Sequence, residues 1–308
     1  MTIGIDSSFE NIFVETFSNF FVYGGGGLKS DFGGHDNRHH DNVYAFVSGG
    51  CVGEVYRVDL ANGKRLVAKT GNVGSGLAIE GMMLQCLGSL SNLPVPDVVH
   101  AEDTLLLMAY IDTAGGITAE AQTHAAELLA DLHNVRGEAF GFDFDTLIGG
   151  LHQPNPQTQR WLDFFAQHRL LYMAREALDA GRMPHRLMDR VTALAGKLDR
   201  WIEEPEYPSL LHGDMWTGNV LCKNGRIAGF IDPAVYFGDP EIELAFSTLF
   251  GTFGQAFFSR YNDLRPIAAG FFEERRDLYN LYPLLVHVRL FGGSYVGSVE
   301  RTLSQLGC

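Results

Sequence analysis

Three polar side chains at the two ends of a predicted hairpin carry the strongest chemical signal in this 308-residue sequence. An Asn-Gly pair at 224–225 separates two apolar runs and favours a type I′ turn, because both central residues need positive φ. Such a hairpin would bring Asn219, which precedes it, close to Asp232, which follows it. An amide and a carboxylate can hold a cation, while Asp214 stays free on the preceding loop. Phosphoryl transfer needs this set: one carboxylate to accept a hydroxyl proton and two oxygen ligands for magnesium.

A glycine-rich stretch at 48–55, with the sequence SGGCVGEV, lies between two predicted strands. It resembles the nucleotide-binding pattern G-x-G-x-x-G-x-V, with serine at the first glycine position. Glycines there would let backbone N–H groups approach phosphate oxygens, because no Cβ stands in the way. Taken alone, such a run is more often a simple hairpin turn. The candidate nucleotide contacts in it are Gly49, Gly50, Cys51 and Gly53.

Lys69 ends the strand that follows, in the tripeptide Val-Ala-Lys. It resembles the strand lysine of kinases, which contacts the α- and β-phosphates of ATP and needs an acidic partner. Glu80 is the acid in this part of the chain that lies in a convincing helix, so we assign it as that partner. The strand over 106–111 leads to a linker, and it offers backbone candidates for adenine at Met108, Ala109 and Tyr110.

The elements around these residues predict an α+β fold with a small antiparallel sheet followed by a mostly helical region. The predicted strands cover 43–47, 52–58, 65–69 and 104–111, with a helix at 78–90. After a linker at 112–117, the predicted helices cover 118–135, 161–178, 186–201 and 241–250, with two or three more between 261 and 306. This organisation gives an N-lobe over 43–111 that binds nucleotide and a catalytic C-lobe over 112–308 that binds substrate.

Residues 1–42 differ from the rest of the chain. They contain four consecutive glycines and a polar, His-rich run at 35–41. A His-rich tract can bind metal, but a partly flexible, solvated segment is the interpretation that we favour. A short helix is predicted over 9–21.

Composition excludes several classes of protein. The chain has 23 basic and 37 acidic residues, a formal net charge of −14, so it lacks the basic surface of a nucleic-acid binder. Its four cysteines are scattered, which argues against a disulfide framework and a zinc site. Cys51 could be a redox-active thiol or simply a small residue in its turn. No apolar run is long enough to cross a bilayer and no signal peptide begins the sequence, so we expect a cytoplasmic protein.

The motifs together resemble those of fructosamine kinases (ketosamine 3-kinases), relatives of aminoglycoside phosphotransferases. Residues 212–219 (HGDMWTGN) resemble the family signature H-G-D-L-W-x-G-N. Residues 232–239 (DPAVYFGD) resemble its D-P-A-x-Y-Y-G-D, and 249–251 and 281–295 also fit the family. The resemblance covers about residues 43–300 and implies a bilobal, protein-kinase-like fold.

The resemblance also implies a reaction. ATP, with Mg²⁺, would phosphorylate the 3-hydroxyl of a ketosamine such as fructosamine or ribulosamine. In this family the 3-phosphate product sheds the sugar, so the reaction reverses early glycation. Asp214 would accept the hydroxyl proton, Asn219 and Asp232 would bind the metal, and Trp216 and His287 would lie near the sugar. The partner would be a small glycated amine or a glycated protein lysine, bound by a monomer or homodimer.

Three departures from the family pattern bear on sugar specificity. The chain has Pro-Glu-Ile-Glu at 240–243 where the family has Arg-Glu-Ala-Asp, Val286 where Asn is common, and Ala109 where Glu is common. Two alternatives stay open: a kinase for another small hydroxyl compound, such as an aminoglycoside, choline or a different sugar, and a nucleotide-binding pseudokinase. Trp216 could equally be a core anchor.

Overall fold

The computed structural model describes residues 43–49 (backbone only), 53–60 and 62–308, and these divide into two compact units. The first unit contains 43–78 and Val98–Tyr110, and the second contains Ile79–Asp97 and Ile111–Cys308. The predictions for 1–42, including the helix over 9–21, lie outside the described residues. So do Gly50 and Cys51 of the glycine-rich stretch.

The first unit is built on a five-stranded antiparallel sheet in the order β1-β2-β3-β5-β4. Its strands are β1 (Val43–Gly49), β2 (Glu54–Asp59), β3 (Arg65–Thr70), β4 (Val98–Glu102) and β5 (Leu105–Ala109). The predicted three-stranded meander is confirmed, because β2 pairs with both β1 and β3. Alternate residues such as Val58, Ala68 and Leu107 form its small apolar core. β4 is absent from the predicted strands because its five residues are all half-buried and show no alternation.

The second unit holds the helices. They are α1 (Leu77–Leu90, whose first two residues belong to the first unit), α2 (Ala119–Leu132), α3 (Trp161–Phe164), α4 (Tyr172–Asp179), α5 (His185–Ala195), α6 (Pro240–Leu249), α7 (Gln255–Leu264), α8 (Arg276–Phe291) and α9 (Ser294–Gln305). Two π-helical turns, Phe165–Leu171 and Phe271–Arg275, lead into α4 and α8. The Thr118 side chain caps α2 by accepting a hydrogen bond from the N–H of Ala121, as the sequence predicts.

One predicted helix is too long. The sequence predicts a helix over 186–201, but α5 ends at Ala195 and Gly196 follows as its C-cap. A separate 3₁₀ turn covers Leu198–Arg200.

Three short two-stranded sheets complete the second unit: β6 (Thr146–Ile148) with β7 (Leu151–Gln153), β8 (Ser209–Leu211) with β11 (Tyr236–Gly238), and β9 (Val220–Lys223) with β10 (Arg226–Phe230). The β9–β10 hairpin closes by pairing Lys223 with Arg226. Asn224 (φ 52°) and Gly225 (φ 73°) both have positive φ, which confirms the predicted type I′ geometry.

Two helices of the second unit pack against these short strands. α6 packs against both β8 and α8, and α2 packs against α7 and β10. Among the described residues no helix is both long and apolar enough to span a membrane. The three cysteines within the described ranges, Cys86, Cys222 and Cys308, are free thiols.

Candidate active site

The β9–β10 hairpin brings together the three polar residues that the sequence singled out. Asn219 closes a 3₁₀ turn at Thr217–Asn219 just before β9, and its carbonyl accepts a hydrogen bond from the N–H of Ile231 after β10. The Asn219 side-chain amide donates to the backbone carbonyl of Asp214 (2.8 Å), to its carboxylate (2.9 Å) and to the carbonyl of Asp232 (3.4 Å). A single amide therefore ties the two carboxylate residues together.

Asp232 holds an unusual backbone conformation. Its φ is 53°, in the left-handed region that non-glycine residues seldom occupy. Pro233 follows directly and restricts the backbone before it to a few conformations. Strain of this kind costs of order 1–3 kcal/mol and persists where surrounding structure enforces it, often at functional sites. The hydrogen bonds on both sides, from Asn219 to Asp232 and between Ala234 and His212, supply that enforcement.

Asp214 has the electrostatic character of a general base. Burial raises the pKa of its carboxyl to about 7, and the negative charges of Asp232 and Glu243 act in the same direction. Hydrogen bonds from Asn219 and Trp216 lower the pKa and partly offset these effects. A pKa near the working pH is what efficient proton transfer requires. Asp214 can therefore accept a proton from a hydroxyl group and release it near neutral pH.

A buried carboxylate beneath the loop holds Gly213 in place. One oxygen of Glu243, on α6, accepts a hydrogen bond from the N–H of Gly213 (2.6 Å). The other lies 2.8 Å from Nε2 of His133, whose Nδ1 lies 2.7 Å from the hydroxyl of Tyr261. All of these side chains are buried. Burial alone would raise the pKa of Glu243, but His133, His212 and the Gly213 N–H outweigh it and hold the pKa below its usual range.

His212 braces the loop through its hydrogen bonds, as expected from the sequence. Its Nε2 lies 3.0 Å from the carbonyl of Ile231, and its Nδ1 accepts from the N–H of Asp214 (3.3 Å). Burial lowers the pKa of His212, so the neutral ring donates from Nε2 and accepts at Nδ1. The loop also passes very close to the segment after Asp232, because a Cβ on Gly213 (φ 86°) would collide with the carbonyl of Ala234.

Trp216 lies at the surface and not in the core. Its side chain is 40% exposed, and its ring covers Gly218 so closely that a Cβ there would collide with it. This explains why glycine follows the tryptophan two positions later. The Trp216 ring contacts Phe250 edge-on at 6.3 Å, and Phe250 contacts His287 at 5.0 Å. The two residues predicted to lie near the sugar are therefore joined through Phe250.

Those candidate nucleotide contacts that the structure describes lie on the first unit, with the exception of Glu80. Lys69 pairs with Val55 on β2 and with Leu106 on β5, and its side chain is half-buried. Gly49 pairs with Glu54, and a Cβ on Gly53 would collide with the carbonyl of Thr70. Glu80, in the first turn of α1, is buried and belongs to the second unit. The Lys69–Glu80 ion pair stays a prediction.

The predicted adenine contacts lie at the end of β5. Met108 pairs with Val67 and Val98, and Ala109 pairs with Leu66. The N–H of Tyr110 donates to the carbonyl of Arg65 (3.1 Å), so this N–H is not available to a nucleotide. Backbone recognition of adenine would have to use other atoms of this segment.

The donor set of the hairpin fits a magnesium ion. Carboxylate and amide oxygens are the ligands that Mg²⁺ prefers, and Asp232 and Asn219 provide one of each. Asn219 uses its N–H groups within the protein, which leaves its Oδ1 as the ligand atom. Within the described ranges no group of three or more His, Cys, Asp or Glu side chains could hold a metal alone.

Sequence reasoning did not identify the support under the loop. Glu243 entered only as a departure from a family pattern, and His133 not at all. The two are 110 positions apart, and their signal is a carboxylate and a histidine on helix faces that otherwise bury apolar residues. A buried acid at such a position requires a partner, but the sequence does not say which.

Comparisons with known proteins identify a family. Residues 35–307 match the family model described as Fructosamine kinase. A protein named Probable ketoamine kinase in Synechocystis is 33% identical over 268 residues, which covers 84% of this chain and 88% of that protein. A chloroplastic protein-ribulosamine 3-kinase of Arabidopsis thaliana is 29% identical over 263 residues and covers 82% and 78% of the two chains.

Solved structures show the same fold. A crystal structure of a fructosamine-3-kinase homologue from Thermobifida fusca has a TM-score of 0.76 and 33% identity, with coverage of 87% of this chain and 93% of that one. Aminoglycoside phosphotransferases match at 14 to 17% identity, which shows the fold alone; one of these structures holds ADP and hygromycin B. The predicted kinase-like α+β fold is confirmed.

Proposed function

The chain belongs to the fructosamine kinase family, and from that premise we propose that it transfers the γ-phosphoryl group of ATP to the 3-hydroxyl of a ketosamine. The observation that carries the proposal is the joining of Asp214 and Asp232 by the Asn219 amide. The names of the relatives, ketoamine kinase and protein-ribulosamine 3-kinase, support the substrate class.

Each residue has a role in this proposal. Asp214 accepts the proton of the substrate hydroxyl and orients its oxygen toward the γ-phosphorus. Asn219 and Asp232 hold magnesium, which when bound neutralises charge on the transferred phosphoryl group. Glu243 and His212 keep the loop that carries Asp214 in place. Trp216 packs against the sugar, and His287 lies beside it.

The nucleotide is proposed to bind residues of 43–111, which act as the nucleotide-binding lobe. Lys69 contacts the α- and β-phosphates with Glu80 as its partner, and the glycine-rich stretch offers backbone N–H groups to phosphate oxygens. The phosphorylated product is proposed to shed its sugar, which makes the reaction a deglycation. A glycated small amine or protein lysine as partner, a cytoplasmic location and a monomeric or dimeric state stay predictions.

The test is ADP release with a fructosyl-amine and a ribulosyl-amine as acceptors, with and without magnesium. The proposal expects magnesium-dependent turnover, a product heavier by one phosphate and phosphorylation at the 3-hydroxyl by NMR. Asp214→Asn and Asp232→Ala should each remove activity while circular dichroism stays that of the wild type. Turnover of an aminoglycoside, choline or a free sugar in place of the ketosamines would reassign the substrate. Equal rates for wild type and Asp214→Asn would remove Asp214 as the base.

A further inference from the structure

A row of aromatic rings continues from Trp216 across the surface of the second unit. We call Trp216, Phe250, His287, Phe291 and Tyr295 the aromatic track. Beyond the contacts already described, the His287 ring lies 4.9 Å from that of Tyr295 and 5.7 Å from that of Phe291. The Phe291 and Tyr295 rings are themselves 6.1 Å apart. The track therefore begins two residues after Asp214 and ends on α8 and α9.

The track is unusually exposed. Among the described residues four large aromatic side chains are exposed, and three of them lie on the track: Trp216 (40%), Phe250 (39%) and Phe291 (54%). The fourth, Phe272 (42%), lies on the π-helical turn before α8 and contacts Phe258 and Phe271. Exposed apolar groups that gather in one place mark binding sites more often than scattered ones do.

The backbone builds this cluster by a sharp turn. His287 and Phe291 are four residues apart, so they share one face at the end of α8. Gly292 (φ 63°) and Gly293 (φ 58°) then end that helix and start α9, in conformations that residues with a side chain seldom adopt. The turn returns Tyr295 to the same face, where it contacts both of the earlier rings.

His287 offers one hydrogen-bond acceptor at the middle of the track. Its Nδ1 lies 2.7 Å from the carbonyl of Pro283, one turn back in α8, and can only donate to that oxygen. Burial lowers the pKa of His287, so the ring is neutral at physiological pH and its Nε2 is an acceptor. No described residue hydrogen-bonds this nitrogen. Ring faces and a neutral acceptor together suit a ligand that carries an N–H⁺ group.

We propose that Phe291, Tyr295 and Nε2 of His287 form a subsite for the amine-bearing half of the ketosamine, and that the subsite prefers amines with an aromatic or apolar substituent. The inference rests on the proposed function, because a ketosamine joins its sugar to a secondary amine that is protonated at neutral pH. With the sugar against Trp216, the ammonium donates to His287, and the substituent lies on the exposed face of Phe291. Contact between the substituent and the aromatic rings supplies the preference.

The experiment compares two adducts that share the sugar, fructosyl-benzylamine and fructosyl-glycine. Binding is measured by isothermal titration calorimetry and turnover by ADP release, with wild type, Phe291→Ala and Tyr295→Ala. Phe272→Ala is the matched control, since it removes an equally large exposed ring outside the track. Each of the two track variants should weaken binding of the benzylamine adduct about tenfold, the loss of one aromatic contact with the substituent. Binding of the glycine adduct should change less than twofold, and the control should change neither.

The outcomes separate the two proposals. Turnover of both adducts with equal losses in the track variants, or with no loss, would overturn the subsite and leave the kinase function standing. Adduct-selective binding that depends on Phe291, without ADP release, would overturn the kinase function and support the subsite. If the wild type binds neither adduct in the calorimeter, both proposals fail.

Discussion

The loop around Asp214 and the aromatic track are built on opposite principles, although they adjoin at Trp216. The loop is held from beneath by buried polar groups: Glu243 accepts from Gly213, and His212 connects Asp214 with Ile231. The track has a hydrogen bond between His287 and Pro283 and another between Trp216 and Asp214, and otherwise consists of rings in contact, three of them more than a third exposed. Hydrogen bonds hold the first region in place, and van der Waals contact between rings holds most of the second.

The difference separates chemistry from recognition. Proton transfer requires a carboxylate fixed within a fraction of an ångström, and buried, directional hydrogen bonds provide that precision. Recognition of a variable amine requires a surface that tolerates differences between substrates, and exposed aromatic rings, which make few directional bonds, provide it. Changes in the first region should therefore affect turnover and stability together, whereas changes in the second should affect binding alone.

The largest expected effect comes from Asp214→Asn, which removes the proposed base and keeps the shape of the side chain. General-base catalysis contributes about 10²–10⁴-fold, so kcat should fall by about a thousandfold. The pKa of Asp214 is raised to about 7 in the folded protein, so ionisation of its carboxyl destabilises the fold. This stability is lost as pH rises from about 4 to about 7. The variant should therefore have a higher melting temperature than the wild type at about pH 8, by an amount that shrinks toward pH 4. A lower melting temperature at pH 8 would contradict the burial of this charge.

Glu243→Gln tests the support beneath the loop. The amide keeps the shape but loses the charge that His133 and Gly213 share, so we expect a loss of about 1–3 kcal/mol in the free energy of unfolding. Turnover should fall roughly ten- to a hundredfold with little change in KM for ATP. Glu243→Asp, which introduces the residue common in the family, is the matched control. Its free energy of unfolding and its turnover should lie between those of the wild type and those of Glu243→Gln. Denaturant titration and steady-state kinetics measure these changes, and full turnover in a destabilised variant would show that the support is structural only.

Trp216→Ala tests the point where the two regions meet. Because the ring is largely at the surface, its removal should leave the free energy of unfolding within about 0.5 kcal/mol of the wild type. KM for the ketosamine should rise about tenfold through loss of the proposed contact with the sugar. Gly218→Ala should act in the same direction by displacing the ring that covers Gly218. A Trp216→Ala variant that unfolds easily would return this residue to the class of core anchors.

The smallest expected effect is a shift of the pH profile, and its sign distinguishes the two regions. Activity should rise with pH through about 7 and then level off, because Asp214 must be ionised to accept a proton. Glu243→Gln removes a negative charge that raises this pKa, so the rise should move to lower pH. Trp216→Phe removes a hydrogen bond that lowers it, so the rise should move to higher pH. Rate profiles between about pH 5 and 9 measure both shifts, and shifts of the same sign would contradict the assignment.

Local turn chemistry explains why so much of the site could be predicted. Asn224-Gly225 specifies a two-residue hairpin whatever surrounds it, and the hairpin alone brings Asn219 to Asp232. Asp214 and Asn219 are only five positions apart on one loop, and this short spacing likewise keeps them within hydrogen-bonding distance. The same locality explains the predicted meander and the cap at Thr118. Where a short element lacks a pattern of its own, as in β4, prediction failed.

The sequence by itself determined the fold class, the hairpin and the identity of the three polar residues, because turn residues, periodicity and short spacings act within a few positions of the chain. Only the tertiary structure decided that Glu243 meets His133 across 110 positions and that Trp216 lies at the surface. Only it decided that Phe291 and Tyr295 converge on His287. Such contacts depend on how helices pack, and packing is a property of the whole core, which no single stretch of residues encodes.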